Sequence, residues 1–428
     1  MNVLVIGAGG REHALVWKLK QSPRINRLYC APGNPGIAQL AECVPIAADD
    51  LDQLYQFART QKIDLTVVGP EVPLVKGIVD LFEAGGLAIF GPSKAASALE
   101  GSKVFAKHFM KRHGIPTAAY ETFDRAHEED AKRYIVSQTM PIVLKADGLA
   151  AGKGAVVCRT AGEALQVIEE FFGGNVLGEA GSSIVVEEFM TGEEASVFVF
   201  TDGTQYALLE PAQDHKQIFD GDRGKNTGGM GAFAPARVAS PDVIERVKRE
   251  IIEPVLEGMR KEGRPYRGCL YVGIMITAAG PKVVEFNCRL GDPEAQVVLP
   301  LIDGDLAEIM AACATRSAHA LSIRSHNAAA VCVVLASGGY PDAYEKGKEI
   351  RGLESINAED GVIAFHAGTK NDAGRIVTWG GRVLGVTAIG YGHELAETIA
   401  SAYSAVKKIA FDGAYYRSDI GRKGLAHH

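Results

Sequence analysis

Glu285, Asn287 and Arg289 close the run Pro281-Lys-Val-Val-Glu-Phe-Asn-Cys-Arg-Leu-Gly-Asp-Pro-Glu294. Spaced by two, they share one face of a strand, with Phe286 and Cys288 on the other. Two oxygen donors suit Mg²⁺, which takes one or two protein ligands beside substrate phosphates, and the arginine one step on can grip a phosphate or carboxylate fork to fork. Alone, such a strand end reads more simply as a solvated salt bridge. Upstream, Lys145-Ala-Asp-Gly148-Leu-Ala-Ala-Gly152-Lys153-Gly154 follows an apolar run at 141–144. It is not a Walker loop, because its outer glycines sit one residue too close and Gly154 stands where Ser or Thr is required. Glycines that let a hairpin close over a polyphosphate, with Lys145 and Lys153 supplying charge, read better as a phosphate lid.

Three further stretches carry candidate chemistry. Ile184-Val-Val-Glu187-Glu188-Phe189-Met190 is a strand that breaks into an extended hinge, with Glu193 and Glu194 close behind. A hinge backbone can pair with an adenine edge, apolar neighbours can sandwich the ring, and a carboxylate can accept from ribose hydroxyls. A solvated strand edge is the simpler reading of this stretch by itself. From Asp214-His-Lys216 to Asn226-Thr-Gly228-Gly229-Met-Gly231 the chain is too polar and glycine-rich for core, and is expected to be a long mobile loop serving as a lid or binding element. Gly7-Ala-Gly9-Gly10-Arg-Glu12 opens a helix after the first strand. Glu12 replaces the third glycine of the dinucleotide fingerprint, and Tyr29-Cys30-Ala31 offers no acid for a ribose, so a nicotinamide-dependent dehydrogenase is disfavoured. The turn still has N–H groups suited to an anion, and a merely structural turn reads equally well.

The elements that must position these groups are legible as apolar runs. Runs at 3–6, 28–30, 65–68 and 87–90, each bounded by Gly or Pro and separated by helix-length stretches, predict a parallel βαβ sheet. A helix is expected over 93–113, broken by Gly114-Ile-Pro116, followed by an α+β region. Strands at 196–200, 271–276 and 282–286 predict an antiparallel sheet bearing the Glu285 run, and strands at 329–336, 362–366 and 382–388 with a helix at 394–408 make the last part. The chain is therefore read as multidomain α/β and α+β: a parallel nucleotide-fold-like domain at 1–102, a central domain at 103–326 with a lid at about 120–190, and a small α/β domain at 327–428. A net charge of −7 gives no field for nucleic acid. Seven cysteines without a C-x-x-C pair argue against disulfides and structural zinc, and with no basic leader or membrane-length apolar run the expected place is the cytoplasm.

In this order the pieces resemble the ATP-grasp superfamily, and within it the glycinamide ribonucleotide synthetase family. Gly7-Ala-Gly-Gly-Arg-Glu-His13, Val68-Gly-Pro-Glu71-Val-Pro-Leu, Leu99-Glu-Gly-Ser-Lys103, the 145–154 loop, Gln213-Asp-His-Lys216, Asn226-Thr-Gly-Gly-Met-Gly231, Glu285-Phe-Asn-Cys-Arg-Leu-Gly-Asp292 and Phe365-His-Ala-Gly-Thr-Lys370 carry the resemblance over essentially the whole chain. It implies a central ATP-grasp fold and ligation of glycine to 5-phosphoribosylamine, with ATP as co-substrate and Mg²⁺ or Mn²⁺ as metal. Lys103 and Lys145 would hold ATP phosphates under the Gly148, Gly152, Lys153 and Gly154 loop. Glu187, Glu188, Phe189 and Met190 would form the adenine hinge, with Glu193 or Glu194 on the ribose.

Glu285 and Asn287 correspond to the metal ligands. The preceding strand, Val272-Gly-Ile-Met275, lacks the further carboxylate many superfamily members carry. Arg289 and Lys145 are the expected catalytic cations. Gly9, Gly10, Glu71, Asp214, Lys216, Asn226, Gly228, Gly229, Asp292, Lys370 and Arg382 are the expected substrate contacts, Lys370 or Arg382 taking the sugar phosphate. A monomer acting on small molecules, with at most transient contact to the enzyme that makes phosphoribosylamine, is expected. A carboxylase or formyl-transfer ligase on the same fold is the nearest alternative, a nicotinamide-dependent dehydrogenase the next and a non-catalytic nucleotide sensor the third.

Overall fold

In the computed structural model, residues 1–149, 154–173, 181–317, 321–356, 360–392 and 394–426 are described. β1 (Asn2–Gly7), β2 (Arg27–Pro32), β3 (Glu42–Cys43), β4 (Leu65–Val68) and β5 (Ile89–Phe90) form a parallel sheet in the order β3-β2-β1-β4-β5. Val3 and Val5 pack into one apolar cluster and Leu4 and Ile6 into another, so both faces are covered and the run is continuously apolar. The strand expected at 87–90 shrinks to Ile89–Phe90, because Leu87 N–H still closes the preceding helix on Phe82 O at 2.9 Å. The helix expected over 93–113 is interrupted at Ser102, whose backbone is extended (φ −141°, ψ 114°). Its hydroxyl accepts the Phe105 N–H at 3.0 Å, capping a new helix, Lys103–His113, and placing Lys103 on that helix's first turn.

The second sheet is β6 (Tyr120–Asp124), β7 (Ile142–Ala146), β8 (Ala155–Cys158) and β9 (Ser183–Glu188), antiparallel in the order β6-β9-β7-β8. The helices Glu128–Val136 and Ala161–Phe172 cover it through Ala131, Ile135, Ala164 and Ile168 against Leu144 and Val186. The third sheet, β11-β10-β16-β17, comprises β10 (Glu193–Thr201), β11 (Tyr206–Leu208), β16 (Gly268–Thr277) and β17 (Gly280–Asn287). It is the expected antiparallel platform for Glu285.

The last sheet runs β12-β15-β20-β24-β21, from β12 (Gln213–Asp214), β15 (Gly231–Ala234), β20 (Ala328–Ala336), β21 (Val362–His366) and β24 (Arg382–Tyr391). It draws β12 and β15 from the middle of the chain. Between them lies a two-stranded hairpin, β13 (Gln217–Phe219) with β14 (Arg223–Asn226), in place of the mobile loop expected there. Ile218 and Met230 are buried in a small cluster, anchoring a sequence that reads as too polar for core. Two further hairpins, β18 (Ile302–Asp303) with β19 (Arg324–Ser325) and β22 (Thr369–Asp372) with β23 (Arg375–Thr378), complete the strands.

The first and last segments meet through His13, whose Nδ1 accepts the His366 N–H at 2.8 Å, and Asn34, whose amide donates to Ala8 O and His366 O. Burial, with some help from His366, pushes His13 down to about 3, and burial pushes His366 down to about 4. Both values lie below the 6.5 of an unfolded histidine. The unfolded chain therefore binds more protons than the native one from pH 6.5 downward, and stability falls with acidification through that window. The expected result is a falling unfolding temperature between pH 7 and about pH 4.5 that flattens in His13→Asn, followed by circular dichroism. An equally steep slope in that variant would assign the acid sensitivity elsewhere.

Candidate functional site

A cleft of about 1120 Å³ lies between the second sheet, the β16–β17 pair and the β13–β14 hairpin. Lys145, near the end of β7, donates to Val284 O at 2.8 Å and stands 3.1 Å from Glu187 Oε2. Lys107, from the helix below, stands 3.1 Å from Glu187 Oε1. Burial lowers the Lys107 ammonium to about 8, with Glu187 working against that fall. Glu187 is thus a buried counter-ion between two lysines. Lys103 Nζ donates to Gly148 O at 2.8 Å, and Asp147 accepts from Val104 N–H and Ser102 Oγ at 3.2 Å each, tying the loop start to the capped helix. Gly148 and Gly154 line the cleft, while Gly152 and Lys153 lie outside the described residues.

The hinge follows β9. Glu188 Oε1 accepts from Ala119 N–H and Lys282 Nζ, both at 3.1 Å, which ties the hinge to β17. Gly192 sits at φ +155°, where a Cβ would stand 2.3 Å from Ile276 O, so only glycine lets this segment lie against β16. Phe189 and Met190 line the cleft opposite Val143, Val157, Met275 and Val284, apolar walls suited to a flat ring. Glu193 and Glu194 follow on β10, and Glu194 accepts from Lys216 Nζ at 2.7 Å.

At the end of β17 the three polar residues converge, but Arg289 is not an open fork. Its Nε donates to Glu71 at 3.2 Å, Nη2 to Glu100 at 2.8 Å and to Asn287 Oδ1 at 3.2 Å, and Nη1 to Leu290 O at 3.3 Å. Burial works against its charge, yet Glu100 and Glu71 outweigh it and raise its pKa, so the guanidinium is permanently ionised. Glu71, one of the expected substrate contacts, is therefore engaged as a counter-ion. Burial would push the Glu285 carboxyl up, but Lys216, Lys145, Lys103 and Arg289 outweigh it and hold it below the usual range.

An ionised carboxylate and an amide oxygen, both on the cleft wall, fit a hard divalent cation. Glu285 pairs across the ladder with Gly273, which confirms that β16 adds no carboxylate there. Glu294 accepts from Tyr271 OH at 2.8 Å. Asp214 is pushed up to about 7 by burial, against Lys216 and with Glu294, Glu194 and Glu285 adding to the rise.

The structure brings only some of the expected substrate contacts to the cleft. Gly9 and Gly10 do not line the cleft. The Gly9 N–H is taken by Glu12 Oε2 at 2.6 Å, and Asp292 Oδ2 would lie 3.3 Å from a Gly9 Cβ. Two carboxylates at the helix start oppose a phosphate there. Lys370 is exposed on β22, its ammonium 4.0 Å above the Trp379 ring, and does not line the cleft. Gly229 does not line it either, its N–H being held by Thr227 Oγ1 at 3.0 Å. Arg382 does line it, with Asn226, Gly228 and Asp292. Its Nη1 donates to Gly228 O at 2.6 Å and Asp292 O at 2.5 Å.

Family models cover this architecture almost end to end: the phosphoribosylglycinamide synthetase N domain at 1–100, its ATP-grasp (A) domain at 101–295 and its C domain at 330–423. The chain belongs to the phosphoribosylglycinamide synthetase family. A phosphoribosylamine–glycine ligase of Chlorobaculum tepidum is 50% identical over 430 residues, covering 99% of this chain and 100% of its own. One of Vibrio vulnificus is 49% identical over 429 residues, covering 100% and 99%. The crystal structure of phosphoribosylamine–glycine ligase from Thermotoga maritima aligns with a TM-score of 0.84 at 33% identity, over 98% of this chain and 100% of that one. The multidomain α/β reading with a central ATP-grasp domain holds. Within this synthetase fold, sequence reasoning passed over Lys107 and Glu100. Glu100 stood in the Leu99-Glu-Gly-Ser-Lys103 motif, but nothing local marks it as the partner of Arg289 and of Cys288, whose N–H and Sγ it accepts at 2.7 and 2.9 Å.

Proposed function

We propose that this chain is an ATP-dependent ligase joining glycine to 5-phosphoribosylamine, giving glycinamide ribonucleotide, ADP and phosphate in purine biosynthesis. The observation that carries the reading is the convergence, in one cleft, of an apolar hinge, Lys103, Lys145 and Lys216, and the Glu285, Asn287 and Arg289 strand end, in a chain whose full-length relatives bear that ligase name. A carboxylate is a poor electrophile, so glycine must first take the γ-phosphoryl group of ATP to become glycyl phosphate. Phosphoryl transfer rests on positioning and charge neutralisation, which lysines and an ionised arginine supply without a protein nucleophile. Glu285 and Asn287 would hold Mg²⁺ or Mn²⁺, which when bound neutralises phosphate charge.

Arg289, fixed by Glu71 and Glu100, orients the glycine carboxylate and the acyl phosphate. The amine of 5-phosphoribosylamine then attacks the carbonyl and phosphate leaves. Arg382 is the cation we assign to the sugar phosphate, since Lys370 stands outside the cleft. Arg382→Ala is expected to raise the KM for 5-phosphoribosylamine about tenfold, and Lys370→Ala to leave it within about twofold, by initial-rate kinetics. The reverse pattern would return the cradle to Lys370.

We place the enzyme in the cytoplasm as a monomer, in transient contact with the enzyme that supplies the amine. The cysteines, all seven free, support a reducing compartment. No helix among the described residues is long and apolar enough to cross a membrane. The test of the function is phosphate release with ATP, Mg²⁺, glycine and freshly generated 5-phosphoribosylamine, omitting each in turn. Release is expected only with all four present. Release sustained by bicarbonate or formate without glycine would overturn the assignment in favour of a carboxylase or formyl-transfer ligase.

A further inference from the structure

Arg417 has no exposed surface. Its Nε and Nη2 donate to the two oxygens of Asp419 at 2.8 and 2.7 Å, and its Nη1 crosses to the β13–β14 hairpin, reaching Gln217 O at 2.9 Å and Asp222 Oδ1 at 3.1 Å. The same C-terminal stretch holds the hairpin elsewhere. Gly221 N–H donates to Asp419 Oδ2 at 2.8 Å, Tyr415 OH donates to Ile218 O at 2.9 Å, Ser418 N–H donates to Asp220 Oδ1 at 2.8 Å, and Lys423 Nζ meets Asp222 Oδ2 at 2.6 Å. Apolar contact would have sufficed to attach a hairpin. A buried guanidinium costs several kcal/mol to desolvate unless each N–H finds its acceptor, so this joint tolerates very little displacement.

The hairpin is also cleft wall. Gln217, Asp222, Asn226 and Gly228 line it. Lys216, one residue before the hairpin, reaches Glu194 at 2.7 Å and stands 3.9 Å from Glu285. Gly228 O, just past it, receives Arg382 at 2.6 Å. The side chains of Lys103 and Lys145 and the 188–192 hinge are anchored on other elements. We infer that Arg417 is a positioning residue: through the hairpin it sets where 226–228 stand beside Arg382, without touching substrate. This rests on the ligase reading above for its substrates, but not for its geometry.

The test is hydrogen–deuterium exchange and initial-rate kinetics on the full chain with Arg417→Lys, Asp222→Asn and, as an exposed control in the same segment, Arg422→Ala. In the first two variants, exchange within 217–228 is expected to quicken about tenfold while β1 to β5 keep the parent rate. The KM for 5-phosphoribosylamine is expected to rise about tenfold, with kcat and the ATP KM within about twofold. Arg422→Ala is expected to match the parent in both. Should Arg417→Lys not fold, Asp222→Asn decides, because it removes the charge that Arg417 and Lys423 both meet and keeps the shape. Unchanged exchange in the hairpin overturns the inference. So does faster exchange with an unchanged KM, or a uniform loss of kcat and every KM that tracks a lowered unfolding temperature. If the parent itself fails to join glycine to the amine, the ligase reading falls, and the exchange data decide the Arg417 joint by themselves.

Discussion

Arg289→Met is expected to lower turnover about a thousandfold at saturating ATP while the ATP KM moves less than about threefold. Stability should fall with it. Arg289 is nearly enclosed, with its Nε on Glu71 and its Nη2 on Glu100 and Asn287. Removing the guanidinium takes from Glu71 and Glu100 the cation they share, a change that costs roughly 3–5 kcal/mol for a buried pair. Lost turnover in the single variant would therefore confuse chemistry with unfolding.

The double variant Arg289→Met with Glu100→Gln separates them. Removing the second charge is expected to return most of the unfolding temperature, while the introduced amide keeps an oxygen toward the Cys288 N–H that Glu100 holds at 2.7 Å. Turnover is expected to stay at the single variant's level. Arg289→Lys keeps the charge but loses the fork that reaches Glu71 and Glu100 together, and is expected to be stable and slow. If the double variant regains both stability and turnover, Arg289 serves the fold alone, and another cation must orient the glycine carboxylate.

What the sequence shows of this site follows from which interactions are local. The strand of Glu285 was legible because apolar alternation and flanking glycines are properties of neighbouring residues, and β21 falls on the expected 362–366 for the same reason. β3 was not legible, since two residues, Glu42 and Cys43, carry no apolar run. The β13–β14 hairpin was hidden because it is held by β20 through β15 and by Arg417, both distant in sequence. The functional residues divide in the same way. Residue type and spacing pointed to Lys145, Glu285 and Asn287. Glu100 and Lys107, the counter-ions of Arg289 and Glu187, could not be picked out, because a buried pair is defined only once two elements meet. At the glycine turn Glu12, three residues past Gly9, takes the Gly9 N–H, a contact that the turn's own pattern does not announce. Lys370 was picked for its place along the chain, which says nothing of the Trp379 ring its ammonium covers.

The same pairing logic gives the second large effect. Glu187→Gln is expected to cost roughly 3–5 kcal/mol of stability at pH 7, because Lys107 and Lys145 would then share a buried space with no anion between them. Their side chains are 3% and 8% exposed, and each stands 3.1 Å from a Glu187 oxygen. Even with that carboxylate present, burial holds Lys107 near 8, below the 10.5 of an unfolded lysine. The sign follows. Above the folded pKa the unfolded chain holds a proton that the native chain has released, so stability rises with pH from the folded value up to about 10.5.

In the parent the rise from Lys107 begins near pH 8. In Glu187→Gln the loss of the anion lowers the folded value further, so the rise begins at lower pH and is larger. Urea unfolding at pH 7 and pH 9.5 is the measurement, and the variant is expected to recover a substantial part of its deficit at the higher pH. Adding Lys107→Met should restore stability at pH 7 and remove this pH dependence, because only Lys145 then remains, still donating to Val284 O at 2.8 Å. A Glu187→Gln deficit that is identical at both pH values, and untouched by Lys107→Met, would mean that the two lysines are not the source of the strain, and that Glu187 acts through packing rather than charge.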